Sequence, residues 1–170
     1  MSRFVLPANI RLLNRNHLVK AFAFGKIIDV GCAEGYTFGN NAVNVDIYGC
    51  RPNIPNFVVA DAHHLPFKNF AFDCCVMGEL LEHVEIPEEI LGEAQRVAPI
   101  IILSVPNEHE WASRLNPFDN PGHIRFYNQT MFLNVIQRSG IILLEFIKVN
   151  LAGWSHFIAM GVSKNVALVE

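Results

Sequence analysis

The run Lys26-Ile27-Ile28-Asp29-Val30-Gly31-Cys32-Ala33-Glu34-Gly35 decides how the rest of the chain is read. Ile27, Ile28 and Val30 form a short apolar run of the kind that makes a buried strand, and the glycines at 31 and 35 let the backbone turn tightly and approach a ligand. Past Gly35 a second apolar run, Ala42 to Val45, ends on Asp46. Two neighbouring parallel strands would place that acid beside the loop, where one carboxylate can accept hydrogen bonds from both hydroxyls of a ribose. Dinucleotide enzymes use the same arrangement, so the pair is not specific by itself.

Three later segments narrow the reading. Asp61-Ala62-His63-His64-Leu65-Pro66-Phe67 closes a third strand, Phe72-Asp73-Cys74-Cys75-Val76-Met77 makes a fourth, and Glu79-Leu80-Leu81-Glu82-His83-Val84 follows it. In this order the segments resemble the class I S-adenosylmethionine (SAM)-dependent methyltransferases, in particular small members with a DxGCGxG loop, a D-A-x-x-L-P-F turn and an L-E-H-V segment. The resemblance covers residues 26 to 163. It implies a Rossmann-like, doubly wound α/β fold with a seven-stranded, mostly parallel sheet in the order 3-2-1-4-5-7-6, and SAM as cofactor with S-adenosylhomocysteine (SAH) as product. It also implies roles. Asp29 would orient the methionine ammonium; Gly31, Cys32, Ala33 and Gly35 would form the loop; Asp46, followed by Ile47, would bind the ribose; Asp61 with the Ala62 amide would read the adenine edge; Met77, Gly78 and Glu79 would line the adenosine. Ala33 stands where the family has its middle glycine.

At 170 residues the chain is expected to be a single domain spanning 1 to 170. A formal net charge of -3 and scattered basic residues give no electrostatic footprint for nucleic acid. The hydrophobic fraction of 51% is high and points to a homodimer. Cys32, Cys50, Cys74 and Cys75 contain no C-x-x-C pair and read as reduced thiols. With no apolar run long enough to span a membrane and no signal-peptide pattern at the start, the expected location is the cytoplasm.

Helical spacing of Ile10, Leu13, Leu18, Ala21 and Phe22 predicts a helix over Asn9 to Phe24. Only about one helical turn fits between Gly35 and Ala42, where the family has a full helix. A second helix is expected from Pro87, with Glu88 and Glu89 in its first turn and Ile90, Leu91, Ala94 and Val97 buried, and a third after Asn128 or Thr130, ending before Gly140. Strands are expected at 56 to 60, 100 to 105, 141 to 149 and 155 to 163. The last two are joined too closely for a parallel crossover and must form an antiparallel hairpin. The stretch 106 to 127 lacks periodicity and leaves the carboxyl end of the fifth strand, which predicts a mobile lid over the acceptor.

Methyl transfer needs alignment of nucleophile and methyl group and exclusion of water, and a base only when the nucleophile arrives protonated. The candidates for such a group are His83, His109, His123 and Tyr127, with Trp111 beside them on the lid. His63-His64 has no third ligand at recognisable spacing, so no metal is expected. The N-P-P-Y segment of many nucleobase and amino-group methyltransferases is replaced by Met77-Gly78-Glu79-Leu80, which turns the reading toward a small-molecule or lipid- or glycan-like acceptor. The rival readings are a SAM-binding partner or scaffold subunit without turnover, suggested by the short first crossover, and a nicotinamide-dependent reductase. The latter is disfavoured because Met131, not lysine, stands four residues after Tyr127.

Overall fold

A computed structural model describes residues 14–33, 37–48, 54–110, 122–151 and 154–166. Seven strands form one sheet: β1 (Ile27–Val30), β2 (Ala42–Asp46), β3 (Phe57–Val59), β4 (Cys74–Gly78), β5 (Ile100–Pro106), β6 (Ile141–Leu151) and β7 (Trp154–Ser163), in the order β3-β2-β1-β4-β5-β7-β6. β1 pairs in parallel with β2 and β4, β2 with β3, and β4 with β5; β7 runs antiparallel to both β5 and β6. This is the expected strand order, with the expected hairpin, which is longer than its sequence suggests: Leu151 pairs with Trp154.

Side chains on a strand alternate between faces, and the core divides accordingly. Cys74 and Val76 of β4 and Ile102 of β5 join Leu18, Val19 and Phe22 of helix α1 (Arg15–Phe22) on one face. On the other face Cys75, Met77, Ile101, Leu103 and Val105 pack with Ile90, Leu91, Ala94 and Val97 of α2 (Pro87–Val97) and Phe132, Val135 and Ile136 of α3 (Gln129–Arg138). Each fully buried Leu, Ile or Phe contributes about 1.5–3 kcal/mol, so both faces must be covered for the sheet to be stable.

The helix ends follow local chemistry. Pro87 opens α2 where its missing N–H costs nothing, and Asn128 caps α3 by accepting the Met131 amide at 2.9 Å. α1 is shorter than predicted. It starts at Arg15 because Asn14 and His17 cap each other's amides, Asn14 Oδ1 accepting from the His17 N–H and His17 Nδ1 from the Asn14 N–H. Residues 9 to 13 of the predicted helix lie outside the described residues. Between β1 and β2, the described residues hold a single 3₁₀ turn, Gly39–Asn41, in keeping with the room available.

Candidate functional site

At the carboxyl end of β1 the chain turns back onto β2: the Gly31 and Cys32 amides both donate to the Val45 carbonyl, at 2.8 and 3.0 Å. Gly31 has φ +72°, a conformation that favours glycine, and a Cβ there would lie 2.8 Å from Leu80 Cδ1 and displace that side chain. Ala33 also adopts a left-handed conformation, φ +47°, where the family's glycine would be unstrained. The Asp46 carboxylate supports it, accepting the Ala33 amide on Oδ2 at 2.9 Å and the Tyr48 amide on Oδ1 at 3.2 Å. Asp61, beyond β3, is exposed and accepts the His63 amide and ring Nδ1 on one oxygen, at 2.9 and 2.7 Å. The His63 amide, then its ring, hold the Asp61 carboxyl below the usual range.

These groups open onto one cavity of about 680 Å³, lined among others by Gly31, Ala33, Asp46, Asp61, Ala62 and Glu79. Ile47 lines it as well, largely exposed. The structure therefore brings the loop residues Gly31 and Ala33 together with Asp46, Asp61 and Glu79, which follow or end β2, β3 and β4. Gly35 lies outside the described residues. Asp29 sits beneath the loop at 4% exposure, and its Oδ2 has no hydrogen-bond partner among the described residues. Burial pushes its pKa up to about 7, against the pull of the Arg15 guanidinium and with a further push from Asp46.

Three residues expected at the cofactor, Met77, Gly78 and the loop residue Cys32, do not line the cavity. The Met77 side chain is fully buried in the core, because it alternates with Val76 along β4 and points toward α2; Cys32 is likewise buried. Gly78 serves an internal packing need: a Cβ there would lie 2.6 Å from Arg15 Nη1, and that nitrogen donates to Ser104 Oγ at 3.0 Å. Ser104 in turn donates to Glu79 Oε1 at 3.1 Å, and Glu79 Oε2 lies 3.2 Å from His156 Nδ1. Burial raises the Glu79 pKa, but His156, Arg15 and Ser104 together outweigh it and keep the carboxyl below its usual range. Glu79 has φ +57°, an uncommon conformation for a side-chain-bearing residue, held by its amide donating to the Ser104 carbonyl.

The segment after Gly122 is strapped onto the turn after β4. The Ile124 and Arg125 amides donate to the Glu82 carbonyl, Arg125 Nε donates to the Val84 carbonyl, and Arg125 Nη2 reaches the Glu85 carbonyl. Tyr127, expected to face the acceptor, is instead buried at 1% exposure, its hydroxyl donating to the Leu81 carbonyl at 3.3 Å. The other end of the predicted lid is also structured: β5 extends through Pro106, and Glu108–Glu110 form a 3₁₀ turn with His109 exposed. Trp111 and residues 112 to 121 lie outside the described residues.

His83 and His123 do come together, ring centroids 4.7 Å apart and edge to face. His83 lines the cavity. Sequence reasoning missed the acids around them. Glu82 is 0% exposed with neither carboxylate oxygen hydrogen-bonded among the described residues, and Glu108, 2% exposed, lies 2.5 Å from His123 Nδ1 through Oε1. Burial is the main cause that raises both carboxyl pKa values.

Among solved structures the fold is similar to a SAM-dependent methyltransferase of Thermotoga maritima described as a possible histamine N-methyltransferase, with TM-score 0.72 and 16% identity over 88% of this chain and 87% of that one. A SAM-dependent methyltransferase of Aquifex aeolicus gives TM-score 0.68 and 16% identity over 92% and 93% of the two chains. Magnesium protoporphyrin IX methyltransferase of Synechocystis, solved with bound SAH, gives TM-score 0.60 and 14% identity over 88% and 83%. Comparison with the curated proteins gives no match. The sequence family described as "Methyltransferase domain" matches residues 1–145. With that match over most of the chain and the sheet order just described, the chain belongs to the methyltransferase-domain family, within the class I SAM-dependent methyltransferases.

Proposed function

We propose that the protein transfers a methyl group to a nucleophilic oxygen, nitrogen or carbon of a small-molecule or lipid- or glycan-like acceptor held in the cavity at the carboxyl ends of β1 to β4. The observation that carries this reading is the convergence of Asp46, Asp61 and Glu79, from the carboxyl ends of β2, β3 and β4 on either side of β1, onto one cavity. The residues present fit the family's cofactor. The cavity volume lies in the range of ligand sites, roughly 300–1,000 Å³, and the unpartnered Oδ2 of Asp29 beneath the loop is suited to an ammonium group.

SAM, when bound, supplies a methyl group already activated by the sulfonium charge. The chain's own residues bind and orient. Asp46 would hold the ribose hydroxyls with the lone pairs its two amide bonds leave over, Asp61 with the Ala62 amide would hold the adenine edge, and Gly31 and Ala33 would lie against the methionine portion. Leu80, Val84 and Ile86 on the cavity wall would exclude water, which favours a displacement that disperses charge. A small acceptor rather than a nucleic acid agrees with the net charge of -3.

A homodimer belongs to the same reading, supported by the exposed run Ile142, Leu143 and Leu144 on the edge strand β6. The cytoplasm suits the buried free thiols of Cys74 and Cys75; no helix among the described residues is long and apolar enough to cross a membrane. The test is SAH release, measured with SAM and a panel of hydroxyl, amine and carbon-acid acceptors. Release above background with one acceptor class supports the reading. SAH binding with no release for any class favours a partner subunit without turnover.

A further inference from the structure

We propose that Glu82, His83 and His123 form a binding site for one divalent transition-metal ion at the edge of the cavity. One ligand atom from each of the three residues lies within 4.8 Å of the others. Three donors about 2.0–2.2 Å from a shared ion would sit roughly 3–3.6 Å apart, so the cluster needs to contract by little more than an ångström, a shift that the three side chains share.

Two independent observations point the same way. The Glu82 carboxylate is 0% exposed, with neither oxygen hydrogen-bonded among the described residues. A buried carboxylate without a hydrogen-bond partner is costly, and a cation bound to it removes the cost. Both imidazoles are also held as metal ligands usually are, with the second ring nitrogen fixed by an oxygen acceptor. His83 Nδ1 lies 2.7 Å from the Gly122 carbonyl, which can only accept, so Nδ1 carries the proton and the lone pair is on Nε2. His123 Nδ1 lies 2.5 Å from the Glu108 carboxylate, which in its ionised form fixes the same tautomer.

Two imidazoles and one carboxylate suit Mn²⁺, Fe²⁺, Co²⁺ or Zn²⁺ better than Mg²⁺ or Ca²⁺, and three protein ligands leave coordination positions open. That an acceptor's oxygen fills one of them, its proton made easier to lose, rests on the methyltransferase reading; the ion site itself does not. With an ion bound, the His83 and His123 lone pairs hold metal rather than an acceptor's proton.

The test uses the full chain after dialysis against a chelator, titrated with Mn²⁺, Co²⁺, Zn²⁺ and Mg²⁺ in turn by calorimetry, with visible absorption as a second readout for Co²⁺. The expected result is about one transition-metal ion per chain, preferred over Mg²⁺, with a raised thermal midpoint. Glu82→Gln and His83→Gln should each weaken binding about tenfold or more, the scale at which even supporting groups act. His64→Ala, at an exposed site away from the cluster, should bind like the parent. His83→Gln alters an exposed side chain and keeps the test decisive even where Glu82→Gln does not fold. No binding, a preference for Mg²⁺, or unchanged affinity in His83→Gln would overturn the site. SAH titrations of the same variants distinguish failure of this site from failure of the cofactor reading.

Discussion

Asp46 holds the Ala33 amide at 2.9 Å, so the acid at the end of β2 also anchors the loop that follows β1. The two functions can be separated by mutation. Asp46→Ala removes an acceptor from the Ala33 and Tyr48 amides and should lower stability by about 1 kcal/mol, while SAH affinity falls by about 1.5–3 kcal/mol, the scale of hydrogen bonds to a charged group. Asp46→Asn keeps an acceptor oxygen and should restore more of the stability than of the affinity. Urea unfolding and calorimetry on the same samples would measure both, and equal recovery of the two quantities would contradict the division.

The loop itself offers a paired comparison. Ala33 is in the left-handed region at φ +47°, which costs about 1–2 kcal/mol for a residue with a Cβ. Ala33→Gly relieves that strain but gives up roughly 0.4–1 kcal/mol through the freer unfolded chain, so a net gain of about 0–1.6 kcal/mol is expected from urea unfolding. Gly31→Ala introduces the strain and also presses on Leu80 in the cavity wall. It should lose at least about 1–2 kcal/mol and weaken SAH.

Asp29 predicts a specific pH dependence. Its folded pKa of about 7 lies above the unfolded value near 3.8, so the native state binds the extra proton between these limits. The stabilisation is fully present below the unfolded pKa and is lost as pH rises through about 7, by an amount on the order of a few kcal/mol. Without ligand, Asp29→Asn should flatten this slope in urea midpoints taken across the window. An identical slope in the variant would place the proton on another group.

Much of this arrangement could be read from the sequence because it is local. The loop glycines, Asp46 and Asp61 each follow an apolar run directly, and the short link before the last strand forces the closing hairpin, whereas the strand order comes from the family resemblance alone. The pairs that were missed join distant positions. Glu82 meets His123, Glu79 meets Arg15 and His156, and Glu108 turns inward at the end of β5. A carboxylate inside the fold carries no local signal, and Glu82 reads simply as part of an L-E-H-V turn. Tyr127 illustrates the opposite error: in an aperiodic stretch leaving the fifth strand it reads as a lid residue facing the acceptor, yet the strap over residues 81 to 85 buries it.

Tyr127→Phe follows from that placement. Loss of the buried hydroxyl bond to the Leu81 carbonyl should cost about 0.5–1.5 kcal/mol of stability. SAH binding, and turnover once an acceptor is known, should stay at parental levels in the folded protein. A large fall in turnover with stability unchanged would return Tyr127 to the acceptor side.

The most direct measurement is calorimetric titration of the parent chain and Asp46→Asn with SAH, and of the parent with NAD⁺. SAH should bind the parent at one site per chain and bind Asp46→Asn more weakly, while NAD⁺ gives no saturable heat. Saturable NAD⁺ binding with no response to SAH or SAM would contradict the assignment of the cavity to a SAM-dependent methyl transfer.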